Sequence, residues 1–211
     1  MSENCCQADK VDLTKEQNKS LEKVFWAVLV INLVMFFTEV TGGYLAHSNA
    51  LLADSLDMLA DVFVYGLSLY ALTRGHQAKV TASLIKGILM AVLGLFVVAE
   101  AVYKIFNPTL PMAETITTIG AIAVIANATC LLLLMRYKNT DLNTKSAWIC
   151  TRNDVFANIA VIFAGLLVAY FGSMWPDILI GLGIAFMVLQ SSVGIIKEAL
   201  THRNEKDISN H

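Results

Sequence analysis

Six apolar stretches recur along the chain, at about residues 24–46, 50–73, 80–106, 113–135, 146–171 and 177–199. Each is near the ~20 residues that an α-helix needs to cross a hydrocarbon core. Breakers and polar clusters divide them: His47-Ser-Asn, Arg74-Gly-His, Asn107-Pro-Thr-Leu-Pro, Arg136 through Lys145, and Gly172-Ser-Met-Trp-Pro. Residues 1–23 are polar, and Thr14-Lys-Glu-Gln17 has the spacing of a capping box, so a helix is expected to start there and run into the membrane. The pattern predicts an all-α membrane protein. Its parts are an N-terminal segment over 1–23, a six-transmembrane-helix bundle over 24–200 and a short tail over 201–211, too short to fold as a separate domain.

Charge placement orients the bundle. The N-terminal segment, the 74–79 and 136–145 connections, and the C-terminal tail together with Lys197 at the inner end of the last stretch hold twelve of the fifteen Lys and Arg. The three opposite connections hold only Lys104, at a helix end, while Lys86 and Arg152 lie within spans near their inner ends. By the positive-inside rule both termini are cytoplasmic. A composition that is 56% hydrophobic and 15% charged, against about a quarter charged in soluble domains, fits an integral protein of the cell membrane. A net charge of −2 with no basic stripe excludes nucleic acid as a partner. Cys5 and Cys6 are adjacent, and Cys130 and Cys150 lie in apolar runs, a pattern of reduced thiols rather than a disulfide framework. The first 23 residues lack the apolar core of a cleavable signal peptide.

Chemistry concentrates in the second stretch, at Asp54-Ser-Leu-Asp57-Met-Leu-Ala-Asp61. Positions i, i+3 and i+7 form one stripe on a helix, and a carboxylate at membrane depth lines a polar path or pairs with another group. In the fifth stretch, Cys150-Thr-Arg-Asn-Asp154 repeats the i, i+4 spacing of Asp57 and Asp61. Two such pairs on two helices supply four ligands, enough for a tetrahedral metal site. Counting from the span ends of antiparallel helices places Asp61 level with Cys150 and Asp57 level with Asp154, near the midplane. One thiolate beside three carboxylates favours Zn²⁺, Cd²⁺ and other soft ions over Mg²⁺ or Ca²⁺, with Co²⁺ and Fe²⁺ also acceptable. Four anions at low dielectric must hold either protons or a dication, so metal leaving the cytoplasm is coupled to protons entering it.

The residues Gly43 to Asp61, with Ser48-x-Ala-Leu-x-Ala-Asp-Ser-x-Asp-x-x-x-Asp, resemble the second-helix signature of the cation diffusion facilitator family. Asn153-Asp154-x-x-x-Asn158 resembles the fifth-helix signature, and Trp175-Pro-Asp177 with Gly181 resembles the start of the sixth. Asn32 and Glu39 in the first span also match, and the similarity covers residues 24–199. The resemblance implies a six-helix homodimer in the lipid bilayer that exchanges divalent metal for protons. It implies a transport site of Asp57, Asp61, Cys150 and Asp154, no cofactor and no enzymatic activity. Two departures matter. Cys150 stands where zinc-transporting relatives most often have His, as does Asp57, which bears on metal identity. The cytoplasmic domain that usually follows the sixth helix is not in this sequence, which bears on regulation and on the usual dimer contact.

Other polar residues are accessory candidates. Asp54 reads as a helix-packing hydrogen-bond partner more than as a relay. Asn32, Asn127 and Asn158 read as groups bonding between helices more than as ion ligands. Glu39 and Asp177 fall near the outer face, open to both a release-path and a surface reading. Glu100 and Lys104 are spaced as an i, i+4 pair, Arg152 faces away from Asp154, and Cys5-Cys6 is a soft-metal docking point or an idle thiol pair. Two other function classes fit parts of the pattern: an intramembrane aspartyl hydrolase pairing Asp57 or Asp61 with Asp154, and a non-transporting metal-sensing membrane subunit.

Overall fold

The structure, a computed structural model, describes residues 15–71, 76–137 and 142–209. Those residues form six α-helices: α1 (Lys15–Leu45), α2 (Asn49–Ala71), α3 (His76–Phe106), α4 (Ala113–Met135), α5 (Leu142–Phe171) and α6 (Trp175–Ser209). Three connections meet at one end of the bundle, the turn end: Met112 N–H donates to the Ala46 carbonyl at 3.0 Å, and residues 108–110 line one groove with residues 172–175. The opposite end, where α1 begins and α6 finishes, is the terminal end.

Helix α4 has the limits of its apolar stretch, whereas α1, α3, α5 and α6 all run past theirs at the terminal end. Lys, Glu and Gln propagate a helix that apolar packing has already nucleated. The tail is therefore the last part of α6, helical through Ser209. At the turn end the stops are sharper. Gly172 closes α5 in a left-handed conformation (φ 58°), and His47 closes α1 in the same region (φ 51°), where a side chain is strained.

Five helices are long and apolar enough to cross a membrane by length and composition. The sixth, α2, has the same 23 residues as α4 but carries three aspartates. It packs against all five of the others, which removes its acidic stripe from lipid. The most extensive pairings are α1 with α2, α3 with α6, and α4 with α5. Small residues bring these helices close. A Cβ on Gly94 would lie 2.9 Å from Leu189, and one on Gly120 would lie 3.1 Å from Ile162.

The turn end is locked by polar contacts around the start of α2. Asp177 of α6 is fully buried and accepts from Ser48 Oγ at 2.5 Å, Asn49 N–H at 2.7 Å and Ala50 N–H at 3.1 Å. It thus satisfies amide donors that a helix start leaves open, a capping role filled from another helix. Lys104 of α3 donates to the His47 carbonyl at 2.6 Å and to the Asn49 side-chain oxygen. One turn beyond Asp177, Gly181 lets α6 lie on the α2 backbone, where a Cβ would meet Asn49 C at 2.6 Å. The surface reading of Asp177 does not describe this end, while Lys104 keeps Glu100, four residues before it, as a charge partner. Both Asp177 and Lys104 turn inward, because the α2 start offers them backbone partners.

Candidate metal transport site

The α2 stripe faces the interior. Asp61 is buried, at 7% exposure, and its Oδ2 accepts from Asn32 Nδ2 of α1 at 3.4 Å. One turn nearer the turn end, Asp57 is half-buried and feels the charge of Lys86, a buried cation on α3. Asp54 is fully buried, and neither carboxylate oxygen has a hydrogen-bond partner among the described residues, contrary to its expected helix-bonding role. Glu39 of α1 is likewise fully buried without such a partner, in the field of Asp54 and Asp57. Its surface reading fails, because α1 turns it toward α2.

The register of α5 against α2 is set by one contact: Tyr65 OH and Thr151 Oγ1 share a hydrogen bond of 3.0 Å. From that bond, Asp61 lies four residues back along α2 and Asp154 three residues on along the antiparallel α5, about 6 and 4.5 Å toward the turn end. Asp61 and Asp154 both act electrostatically on the Tyr65 phenol and on the Cys130 thiol of α4, which places them in one neighbourhood. Asp61, rather than Asp57, is thus level with Asp154, one turn from the register that span counting gives. The span ends misled the count because α5 starts at Leu142, before the apolar stretch does.

Asp154 is half-buried, and its carbonyl accepts from Asn158 Nδ2 at 2.7 Å, so Asn158 bonds within its own helix. Cys150 lies on α5 one turn before Asp154, with its side chain outside the described residues; Cys5 and Cys6 also lie outside them. Among the described residues no three His, Cys, Asp or Glu side chains gather at metal-binding separation. Of the four candidate ligands, the described ones are therefore Asp57 and Asp61 on α2 and Asp154 on α5. Arg152 points outward and stacks on Trp148, its guanidinium 5.6 Å from the ring centroid.

A family model described as the cation efflux transmembrane domain matches residues 25–202. The chain belongs to the cation efflux family. It is therefore an integral membrane protein of a transporter family, not an enzyme, as the cation diffusion facilitator resemblance implied. The chain is 26% identical to the "cadmium, cobalt and zinc/H(+)-K(+) antiporter" of Bacillus subtilis strain 168, over 82% of this chain and 61% of that protein. It is 22% identical to the "metal cation efflux system protein CzcD" of Cupriavidus metallidurans, over 85% of this chain and 63% of that one. It is 24% identical to the "zinc transporter ZitB" of Yersinia pestis, over 87% and 62%. The chain spans about three fifths of the length of these curated relatives.

In this cation efflux chain the paired-acid signature was readable from spacing alone, whereas its supports were not. Tyr65 and Thr151, which join α2 to α5, are unremarkable in sequence. The signal available was a hydroxyl on each of two apolar spans, one turn from an aspartate. Cys130 is a buried free thiol, as its apolar surroundings suggested. Asn127 makes no interhelical hydrogen bond among the described residues, although bonding between helices was its expected role.

Proposed function

We propose that the chain is a secondary transporter that exports divalent transition metal, with Zn²⁺ and Cd²⁺ preferred, from the cytoplasm in exchange for protons. Asp57, Asp61, Cys150 and Asp154 form its ion site, and the terminal end faces the cytoplasm. The observation that supports this reading most is the convergence of Asp61 and Asp154 at the bundle centre, oriented by Asn32 and by the Tyr65–Thr151 bond. Carboxylates so placed must be neutralised, and a dication or protons can each do so. Metal binding displaces protons from the same oxygens, and protons arriving from the other side displace metal. Cys150 adds a sulfur whose softness sets the preference among ions. The names of the relatives above, with zinc, cadmium, cobalt and counter-moving protons, fit this chemistry.

The test is ⁶⁵Zn²⁺ or ¹⁰⁹Cd²⁺ movement in vesicles holding the purified chain, under an imposed proton gradient with and without a potassium gradient. Gradient-driven flux that is lost in Asp61→Asn and Asp154→Asn is expected. Gradient-independent flux, or variants that behave like the parent chain, would overturn the reading. A Cys150→His variant is expected to shift tolerance from softer ions toward Zn²⁺.

A further inference from the structure

A thin polar layer crosses the bundle between two apolar ones. On the turn-end side Met35 of α1, Met58 of α2 and Ala123 of α4 pack together. On the terminal side Val28 of α1, Tyr65 of α2 and Cys130 of α4 do the same. Each of these helices places one buried polar residue between its two apolar contacts: Asn32 between Val28 and Met35, Asp61 between Met58 and Tyr65, and Asn127 between Ala123 and Cys130. The offsets are three and four residues, one helical turn, so the three side chains share one level and the inward faces of their helices. Asp154 joins that level through the Tyr65–Thr151 bond.

Asn127 is fully buried, and neither its Oδ1 nor its Nδ2 has a hydrogen-bond partner among the described residues. Asn32 by contrast donates to Asp61, although its own Oδ1, like Asp154 Oδ2, has no hydrogen-bond partner among the described residues; in Asn127 both side-chain polar atoms are left open. Burying an amide without a partner costs about 1–3 kcal/mol, and a leucine, with the same branched skeleton, would occupy the place on α4 without that penalty. The stripe on either side of Asn127 is apolar or small, namely Ile116, Gly120, Ala123, Cys130 and Leu134. Packing therefore does not ask for a carboxamide at this position.

We propose that Asn127 is an ion-facing residue of the transport site, its amide oxygen directed at the divalent cation or at a water bound to it. This rests on the transport reading above and adds a wall to that site: α1, α2, α4 and α5 each contribute a polar group. A neutral oxygen donor lets the layer hold a dication without adding another charge that must be neutralised when the cation leaves. Donor type at this position then bears on selectivity, since a carboxamide is harder than the thiol proposed at Cys150 and softer in its pull than a carboxylate.

The experiment is calorimetric titration of the purified full chain in detergent with Cd²⁺ and with Mn²⁺, for the parent chain and for Asn127→Leu, Asn127→Ala and Asn127→Asp, with the metal-free melting temperature recorded for each. The Leu and Ala variants are expected to bind Cd²⁺ about tenfold or more weakly, the weight of one lost polar contact to a charge, and the Leu variant to melt no lower than the parent. The Asp variant is expected to raise Mn²⁺ affinity relative to Cd²⁺, a change in ratio that a packing role would not produce. Cd²⁺ affinity within about twofold of the parent in the Leu and Ala variants, or an Asp variant with an unchanged ion ratio, would overturn the inference. A parent chain that binds neither ion would instead remove the transport reading itself.

Discussion

Asn32 donates to Asp61 from a neighbouring helix and so fixes how that carboxylate is presented to the centre of the bundle. Hydrogen bonds to charged groups contribute about 1.5–3 kcal/mol. Asn32→Ala is therefore expected to weaken Zn²⁺ binding by about tenfold or more with little change in fold, read by titration alongside far-ultraviolet circular dichroism. Tyr65 and Thr151 act differently, since they touch each other and set register. Interhelical bonds of this kind in membrane proteins average about 0.6 kcal/mol. Tyr65→Phe should thus lower the melting temperature only slightly, while metal affinity falls further because Asp61 and Asp154 lose their alignment. Equal small losses in both measurements would show that the bond does not position the site.

The helices themselves were legible to within a few residues at the turn end, because Gly172, the prolines and His47 end or break helices for local reasons. The paired acids were legible for the same kind of reason, since i, i+4 spacing is a property of one helix. The inward turn of Lys104, the capping of α2 by Asp177 and the burial of Glu39 were not legible. Asp177 and Asn49 are 128 residues apart in sequence, and their contact exists only once α6 lies across α2. That crossing depends on Gly181. Gly181→Ala would set a Cβ against the α2 backbone, and overpacking of this kind costs about 1–3 kcal/mol. A clear loss of thermal stability in detergent is expected, and a variant as stable as the parent would show that the two helices can separate freely there. Asp177→Ala should be destabilising as well, because it leaves Ser48 and two backbone amides of α2 without their acceptor.

At the scale of the whole bundle, acids are layered along the axis. Glu39 and Asp54 lie toward the turn end, while Asp61 and Asp154 lie deeper, with Asp57 between. On the proposed function, protons and metal compete for this column, and the direction of the pH effect follows. Raising the pH removes protons from the carboxylates, so metal affinity should rise with pH and fall as it is lowered. Titration of Cd²⁺ across a pH series, with proton release followed in weakly buffered solution, checks both signs. Metal binding that does not vary with pH, or that releases no protons, would rule out exchange at shared oxygens.

Helix α2 has a consequence for how the protein is made. Each aspartate near the middle of a membrane-spanning segment opposes its insertion by about 2.5–3.5 kcal/mol, and α2 carries three within eight residues, from Asp54 to Asp61. As an isolated segment it would leave the translocon poorly, whereas α1, which meets it through a tight turn and shields Asp61 with Asn32, gives it a partner to enter with. The two should thus be delivered to the lipid as a hairpin. In a truncation series with a reporter fused after Ala71, α2 is expected to insert when α1 precedes it and to fail when an unrelated apolar helix takes the place of α1.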